Sequence, residues 1–307
     1  MPFAVTFAIK LLPLYVNIFL GYLAGKKLQV NQEAISNLLF YMIAPLMIFN
    51  GVMNTKLNQS IISLPLLTFF ISSALCLIFY RLSLKIWSDP TKNLMAFSAG
   101  SGATGYFGLP IAMLIFDEQV QGIYIMALLG VTLYDNSVGY YINAKGVEST
   151  RECVKKVLTL PTLYAFLFGI AFNYLKVPMP EIYTDFIEPI RGVYIVLGMM
   201  VIGIGLAGMS QFKFDFKFIG MTFLAKFLVW PLLVLFLIEM DRSFIGAYDP
   251  FSHQVLILIS IVPIAVNTVV MSSLTKCQPE RTAATVMLSA VFALFYVPFM
   301  TTLFLNP

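Results

Sequence analysis

The stretch SGATGYFGLPIA, residues 101–112, decides how the rest of the chain is read. It sets Gly102, Gly105, Gly108 and Pro110 inside one of the most apolar regions of the sequence. Glycine weakens a helix interior, and proline removes an N–H and clashes with the turn before it. A helix broken there frees backbone donors and acceptors where water is scarce. Such backbone survives at membrane depth only when it is buried in protein or lines a water-filled cavity.

Composition places that stretch in a membrane. Of 307 residues, 59% are hydrophobic and 11% charged, with a mean hydropathy of +0.87, whereas a soluble domain carries about 25% charged residues. A hydrocarbon core about 30 Å thick takes about 20 helical residues to cross. Apolar runs fall at about 3–24, 35–54, 61–86, 92–116, 121–142, 158–176, 187–209, 216–238, 254–275 and 282–304. The expectation is an all-α membrane protein of ten transmembrane helices. The first run lacks a basic leader and a cleavage site, so it reads as a retained span.

The polar stretch NAKGVESTRECVKK, 143–156, divides the runs five and five. Two units with an odd number of spans sit upside down relative to each other, as two inverted five-helix repeats. The first repeat is then 1–142, a cytosolic linker covers 143–157, and the second repeat is 158–307. LPLYVNIFLG at 12–21 and LPTLYAFLFG at 160–169 keep one proline-to-glycine spacing. Asp89-Pro90 and Asp249-Pro250 precede the fourth and ninth runs.

Loop charge orients the chain. Connections after odd-numbered spans carry Lys26, Lys27, Arg81, Lys85, Lys92, Lys145, Arg151, Lys155, Lys156, Lys213, Lys217, Lys276 and Arg281. The other side has Lys10, Lys56, Lys176, Arg191 and Arg242, with acidic residues such as Glu118, Glu181, Glu188 and Asp241. The basic set belongs in the cytosol, which puts both termini outside a cell (inner or plasma) membrane.

The fourth run breaks at GATGYFGLP and the ninth at SIVPIAVNTVVMSS, with Pro110 and Pro263 in corresponding places. Paired interruptions in inverted halves point to a transporter binding site. A half-helix N-terminus carries free N–H groups and about half a positive charge, and so attracts anions. Gly-x-x-Gly spacing also serves close helix packing, which is the competing reading of Gly102, Gly105 and Gly108.

Other functions lack their residues. A net charge of +4 without a basic, aromatic-interleaved surface gives nucleic acid no footing. One histidine, His253, read as lying in a solvated connection, and the scattered Cys76, Cys153 and Cys277 make no metal constellation or disulfide scaffold. No phosphate-binding glycine loop and no Ser/His/Asp arrangement is present, so neither a cofactor nor an enzymatic activity is expected.

FYMIAPLMIFNGV (40–52), GATGYFGLPIAMLIF (102–116), LPTLYAFLFGIAFNYLKVPMPE (160–181) and IVPIAVNTVVMSSLTKCQPERTAATVMLSAV (261–291) together resemble the auxin efflux carrier family. That family takes in bacterial mono- and dicarboxylate permeases and the plant PIN-formed auxin carriers. The resemblance implies the bile acid/sodium symporter-like fold, with a scaffold of spans 1, 2, 6 and 7. Spans 3–5 and 8–10 then form a transport domain whose broken helices four and nine cross, in a homodimer. Carried onto this chain, the crossover is Gly108-Leu109-Pro110 and Pro263-Ile264-Ala265, with Asn267 beyond. The fourth span has Gly102-Ala103-Thr104 where many relatives have an asparagine. The long hydrophilic central loop of the plant carriers is absent, as in prokaryotic members.

Ionisable groups inside spans complete the candidate set. Lys226 lies about ten residues into the eighth span and Asp135 well inside the fifth, beside Asn136. Charges there cost at least ~2.5 kcal/mol and face protein or water. Their functional reading is proton coupling at Asp135 and charge compensation at Lys226, in place of a sodium ion or paired with a carboxylate. Their structural readings are a hydrogen-bonded aspartate and a snorkelling lysine. An aspartyl protease would need a second intramembrane aspartate, and no other span offers one. Asn50, Asn267, Ser101, Thr104 and Gly105 are further candidates at the proposed site, with interhelical hydrogen bonding as the alternative for the polar ones. The expected function is secondary transport of a small organic anion by elevator-type alternating access, with H+ or Na+ as candidate coupling ions. A membrane receptor or sensor that binds the anion without moving it is the alternative.

Overall fold

The computed structural model describes residues 3–144, 151, 155, 158–208, 213–277 and 279–305. All regular structure among them is helical. Asparagine and aspartate punctuate the chain, because a short side-chain oxygen can take up the orphan N–H groups that open a helix. Helix α1 spans Phe3–Leu28 and ends on Lys26 and Lys27, which suit its negative dipole end. Asn31 caps α2, Gln32–Asn54, accepting from Glu33 N at 2.8 Å and Ala34 N at 3.3 Å. Asn58 caps α3, Gln59–Ser83, through Ile61 N at 2.8 Å.

Helix α4 runs Thr91–Gly100, and α5 covers 104–115, opening with a π-helical turn at Thr104–Gly108. Asp117 caps α6, Glu118–Asn136, and Ser137 separates it from α7, Val138–Asn143. Helix α8 is Pro161–Tyr174 and α9 is Glu181–Ala207. Asp215 caps α10, Phe216–Ile245, which contains π-helical stretches at Leu224–Val229 and Asp241–Ile245. Asp249 caps α11, Pro250–Ile261, followed by α12, Asn267–Leu274, and α13, Pro279–Phe304. Most of the expected linker 143–157 lies outside the described residues.

Five of these helices are long and apolar enough to cross a membrane: α2, α3, α9, α10 and α13. Their outer faces are greasy at helical spacing. Ile62, Leu66 and Phe70 on α3, and Leu228, Leu232 and Phe236 on α10, are each half or more exposed. Water would not tolerate such stripes, and lipid does. Helix α8 differs from the run expected at 158–176. Its 14 residues rise only about 21 Å, short of a full bilayer core.

Glycine decides which helices meet. Helix α1 packs along α9 where Gly21, Gly25 and Gly203 bring backbone onto backbone; a β-carbon on Gly203 would run into Ile18 O. Helix α2 packs along α8, and Asn173 Nδ2 ties them by donating to the carbonyls of Met53 at 2.6 Å and Thr55 at 2.7 Å. Helices α3, α4 and α6 form another group: Thr68 Oγ1 donates to Ala127 O at 2.7 Å, and Gly130 closes on Pro65. Helices α10, α11 and α13 pack together, with Tyr296 donating to Phe227 O at 2.7 Å.

The solvated-loop reading of His253 is corrected. Asp249 starts α11 earlier than hydropathy indicates, so His253 falls in its first turn and is 4% exposed. Its Nε2 lies 2.8 Å from Asp241 Oδ2, and Asp241 also accepts from Ala247 N at 2.9 Å and Tyr248 N at 3.2 Å. The pair staples the α10–α11 turn.

Candidate functional site

Helix α4 stops at Gly100, and residues 101–103 leave helical geometry before α5 begins. Helix α11 stops at Ile261, and 262–266 are non-helical before α12. The two interruptions touch: Ala103 N donates to Pro263 O at 2.8 Å. A backbone group freed by one interruption is thus satisfied by the other, as buried amides require. Ser289 on α13 takes up another, accepting from Ile264 N at 3.2 Å.

The first interruption lies ahead of Gly108-Leu109-Pro110. Those three residues sit inside α5, where the π-helical turn passes into α-helix and Leu109 N bonds to Thr104 O. The wider turn accommodates Pro110, and the chain leaves the helix at Ser101–Ala103 instead. There a side chain would require Lys226 to shift: a β-carbon on Gly102 would lie 2.6 Å from Lys226 Nζ and 3.2 Å from Val262 Cγ2.

Two cavities flank this meeting point. One, of about 90 Å³, is lined by Gly102, Ala103, Thr104, Gly105, Leu109, Asp135, Asn136, Ala265 and Asn267, with Thr132, Thr162 and Tyr194. The other, of about 230 Å³, lies against Pro263, Ile264, Ala103 and apolar residues of α9 and α13, with Gln32 its polar side chain. Ala103, Ile202 and Val266 belong to both walls.

The polar inventory is unusual for a buried region. Lys226 is 1% exposed, and its Nζ has no hydrogen-bond partner among the described residues. It sits 4.5 Å from the Trp230 ring centroid, an arrangement that favours a cation, and Trp230 Nε1 donates to Ala99 O at 2.8 Å. Asp135, 7% exposed, faces Ser101, Asn267 and Lys226. Its Oδ1, Ser101 Oγ and Thr162 Oγ1 are buried without partners among the described residues. Unpaired buried polar atoms are costly, and a cluster of them around a cavity is fitted to receive a polar guest.

Of the residues singled out from sequence, Ser101, Thr104, Gly105, Gly108, Leu109, Pro110, Pro263, Ile264, Ala265, Asn267, Asp135, Asn136 and Lys226 gather around the two interruptions. Asn50 does not. It accepts from Asn54 Nδ2 at 3.2 Å near the far end of α2, in a separate small cavity beside Arg191. Sequence reading missed Tyr124, which donates to Thr104 O at 2.9 Å, and Tyr194, which donates to Gly105 O at 3.3 Å. A tyrosine in an apolar run looks like any core aromatic until its hydroxyl is located. Among the described residues, no group of three His, Cys, Asp or Glu is placed to hold a metal ion.

Comparison with known proteins points the same way. A family model described as "Membrane transport protein" matches residues 6–149 and 143–301. The chain is 22% identical over 303 residues to a Rhizobium meliloti protein named "Putative malonate transporter", covering 92% of this chain and 91% of that one. It is 21% identical over 305 residues to an uncharacterized transporter of Methanocaldococcus jannaschii, covering 94% and 96%. With its sequence matched by the family model along nearly its whole length, the chain belongs to the membrane transport protein family of auxin efflux carrier type, and is a multi-pass membrane transporter rather than an enzyme.

Proposed function

We propose that this chain is a secondary transporter of a small organic anion, a mono- or dicarboxylate, working by elevator-type alternating access in the cell membrane. The observation that carries the proposal is the Ala103–Pro263 backbone bond, which brings two interrupted helices together between two cavities. The N-termini of α5 and α12 then provide positive dipole ends for a carboxylate. Ser101, Thr104, Gly105 and Asn267 supply polar contacts, and Asp135, Asn136 and Lys226 govern charge and coupling.

The reading takes the interrupted helices as spans four and nine of ten, in two inverted repeats, with both termini outside the cytosol. The packing supports it. Under exchange of spans one with six and two with seven, the α1–α9 pair becomes the α8–α2 pair, and both pairs are observed. Those four helices form the scaffold of a homodimer, and the remaining spans move against it. The relative named for malonate makes short dicarboxylates the first compounds to try.

Purified protein in proteoliposomes, given a panel of radiolabelled mono- and dicarboxylates under imposed pH and sodium gradients, tests this reading. Saturable uptake of at least one anion is expected. Absence of uptake across the panel by folded protein rejects it; ligand-dependent stabilisation without flux would favour a receptor or sensor.

A further inference from the structure

The two ends of the helix bundle are built differently. At one end the starts of α10 and α13 carry ion pairs, Lys213–Glu280 at 2.8 Å and Arg281–Asp215 at 3.5 Å. The cavities beside the interruptions extend toward this end, reaching Gln32 at the start of α2, Gly208 after α9 and Thr162 near the start of α8. At the other end, where α2 finishes and α6 starts, backbone meets backbone. A β-carbon on Gly122 would lie 2.7 Å from Gly51 O.

Directly beside that contact, Arg191 of α9 reaches across to α6. One guanidinium nitrogen donates to Gln121 Oε1 at 2.8 Å, and the other lies 3.5 Å from Glu118 and 3.4 Å from Glu188. Glu118 and Glu188 are solvent-exposed, so their pairs contribute little. The Gln121 bond is of another kind. Gln121 is 7% exposed, and its Nε2 donates to Phe116 O at 2.7 Å and Met113 O at 3.3 Å, which fixes the amide oxygen toward Arg191. Behind the bond lies a cavity of about 20 Å³ lined by Asn50, Asn54 and the buried Met47. Helix α9 is packed with α1, and α6 with α3 and α4; both also meet α2, and the Arg191–Gln121 bond adds a direct side-chain tie between them.

We infer that Arg191 and Gln121 form a latch between α9 and α6 that closes the end of the molecule marked by Glu118 and Glu188. The present structure is then the state closed at that end and open toward Gln32 and Gly208. The inference rests on the transporter reading, in which α9 and α6 move relative to each other. Opening the end marked by Glu118 and Glu188 requires the guanidinium to leave the amide oxygen. A neutral acceptor suits that task, since the bond to a charged donor is firm yet lacks the tenacity of a buried ion pair.

The test is labelling of a cysteine placed behind the latch. In a C153S/C277S background, Met47→Cys is added and Cys76, buried in α3, is kept as an internal control. The protein is reconstituted without any anion and treated with a water-soluble maleimide. Arg191→Ala and Gln121→Ala are expected to raise the labelling rate at residue 47 about tenfold, the population change for about 1.4 kcal/mol, with Cys76 still slow. Arg191→Met keeps the aliphatic stem and removes the donors, and is expected to raise labelling as the alanine variants do. Rates equal to the parent in both alanine variants overturn the latch. Should those variants unfold, seen as fast Cys76 labelling, an Arg191→Met protein that labels at the parent rate overturns it instead. The measurement needs no substrate, so a failed uptake panel and a failed latch are separable.

Discussion

The ammonium of Lys226 occupies the space that a side chain on Gly102 would enter, with a methyl of Val262 beside it. No side chain fits there without moving one of them. Gly102→Ala is expected to fold, at a cost of about 1–3 kcal/mol for overpacking, and to lose most transport. Thermal unfolding and uptake measured on one preparation check this. Wild-type uptake in the variant would show that the ammonium has room to yield.

The charges of Lys226 and Asp135 are buried together around the first interruption. Each lies within electrostatic reach of the other, so removing one changes the surroundings in which the other is buried. Lys226→Met and Asp135→Asn should each lower the melting temperature, and the double variant should lose less than the two losses combined. A coupling of about 0.5–3 kcal/mol is the scale for residues that share an environment. Strict additivity would mean that the two groups do not sense each other.

The seam between α1 and α9 gives a paired test. Gly203→Ala would drive a β-carbon into Ile18 O, a backbone atom that cannot swing aside, whereas a β-carbon on Gly192 of the same helix meets nothing within 4 Å. Gly203→Ala is expected to destabilise by more than about 1 kcal/mol. Gly192→Ala should be neutral or slightly stabilising, as alanine favours helix over glycine. Equal melting temperatures for the two variants would remove the seam from the packing argument.

Cys277, between α12 and α13, is buried with Sγ 3.5 Å from Thr91 Oγ1. Burial pushes its thiol above the ordinary cysteine value. A raised value leaves less thiolate at neutral pH, and the thiolate is the nucleophile. Cys277 should therefore react with maleimide much more slowly at pH 7 than an exposed cysteine, and speed up as pH rises. Fast labelling at pH 7 in folded protein would contradict its placement.

The sequence was most legible where local chemistry is decisive. Asp249-Pro250 stands out ahead of the ninth run, and Asp249 caps α11 through Ser252 N, because the capping bond spans only three residues. Pro110 and Pro263 each lie within ten residues of a stretch that leaves helical geometry, 101–103 and 262–266. They did not fix where the backbone leaves the helix: Pro263 lies within its interruption, whereas a π-helical turn absorbs Pro110. His253 was misread for a related reason. Its neighbours look like a polar connection, and only the fold brings Asp241 beside it. Tyr124, Tyr194 and Arg191 acquire their roles through partners 20, 89 and 70 residues away, a separation at which spacing along the chain says nothing.

The π-helical stretch at Leu224–Val229 has a consequence for how this helix tolerates insertion and deletion. It behaves like a spare tooth in a gear. Excising one residue there would restore ordinary winding and leave the flanking turns close to their present orientation, because the π-helical stretch spends one residue more than α-helix on the same rotation. Lys226, inside the stretch, would lose its direction toward Gly102, while Trp230 beyond it keeps Ala99 and greasiness and length hardly change. In this stretch the count of residues, more than their kind, keeps the ammonium aimed at the place where the two helices break.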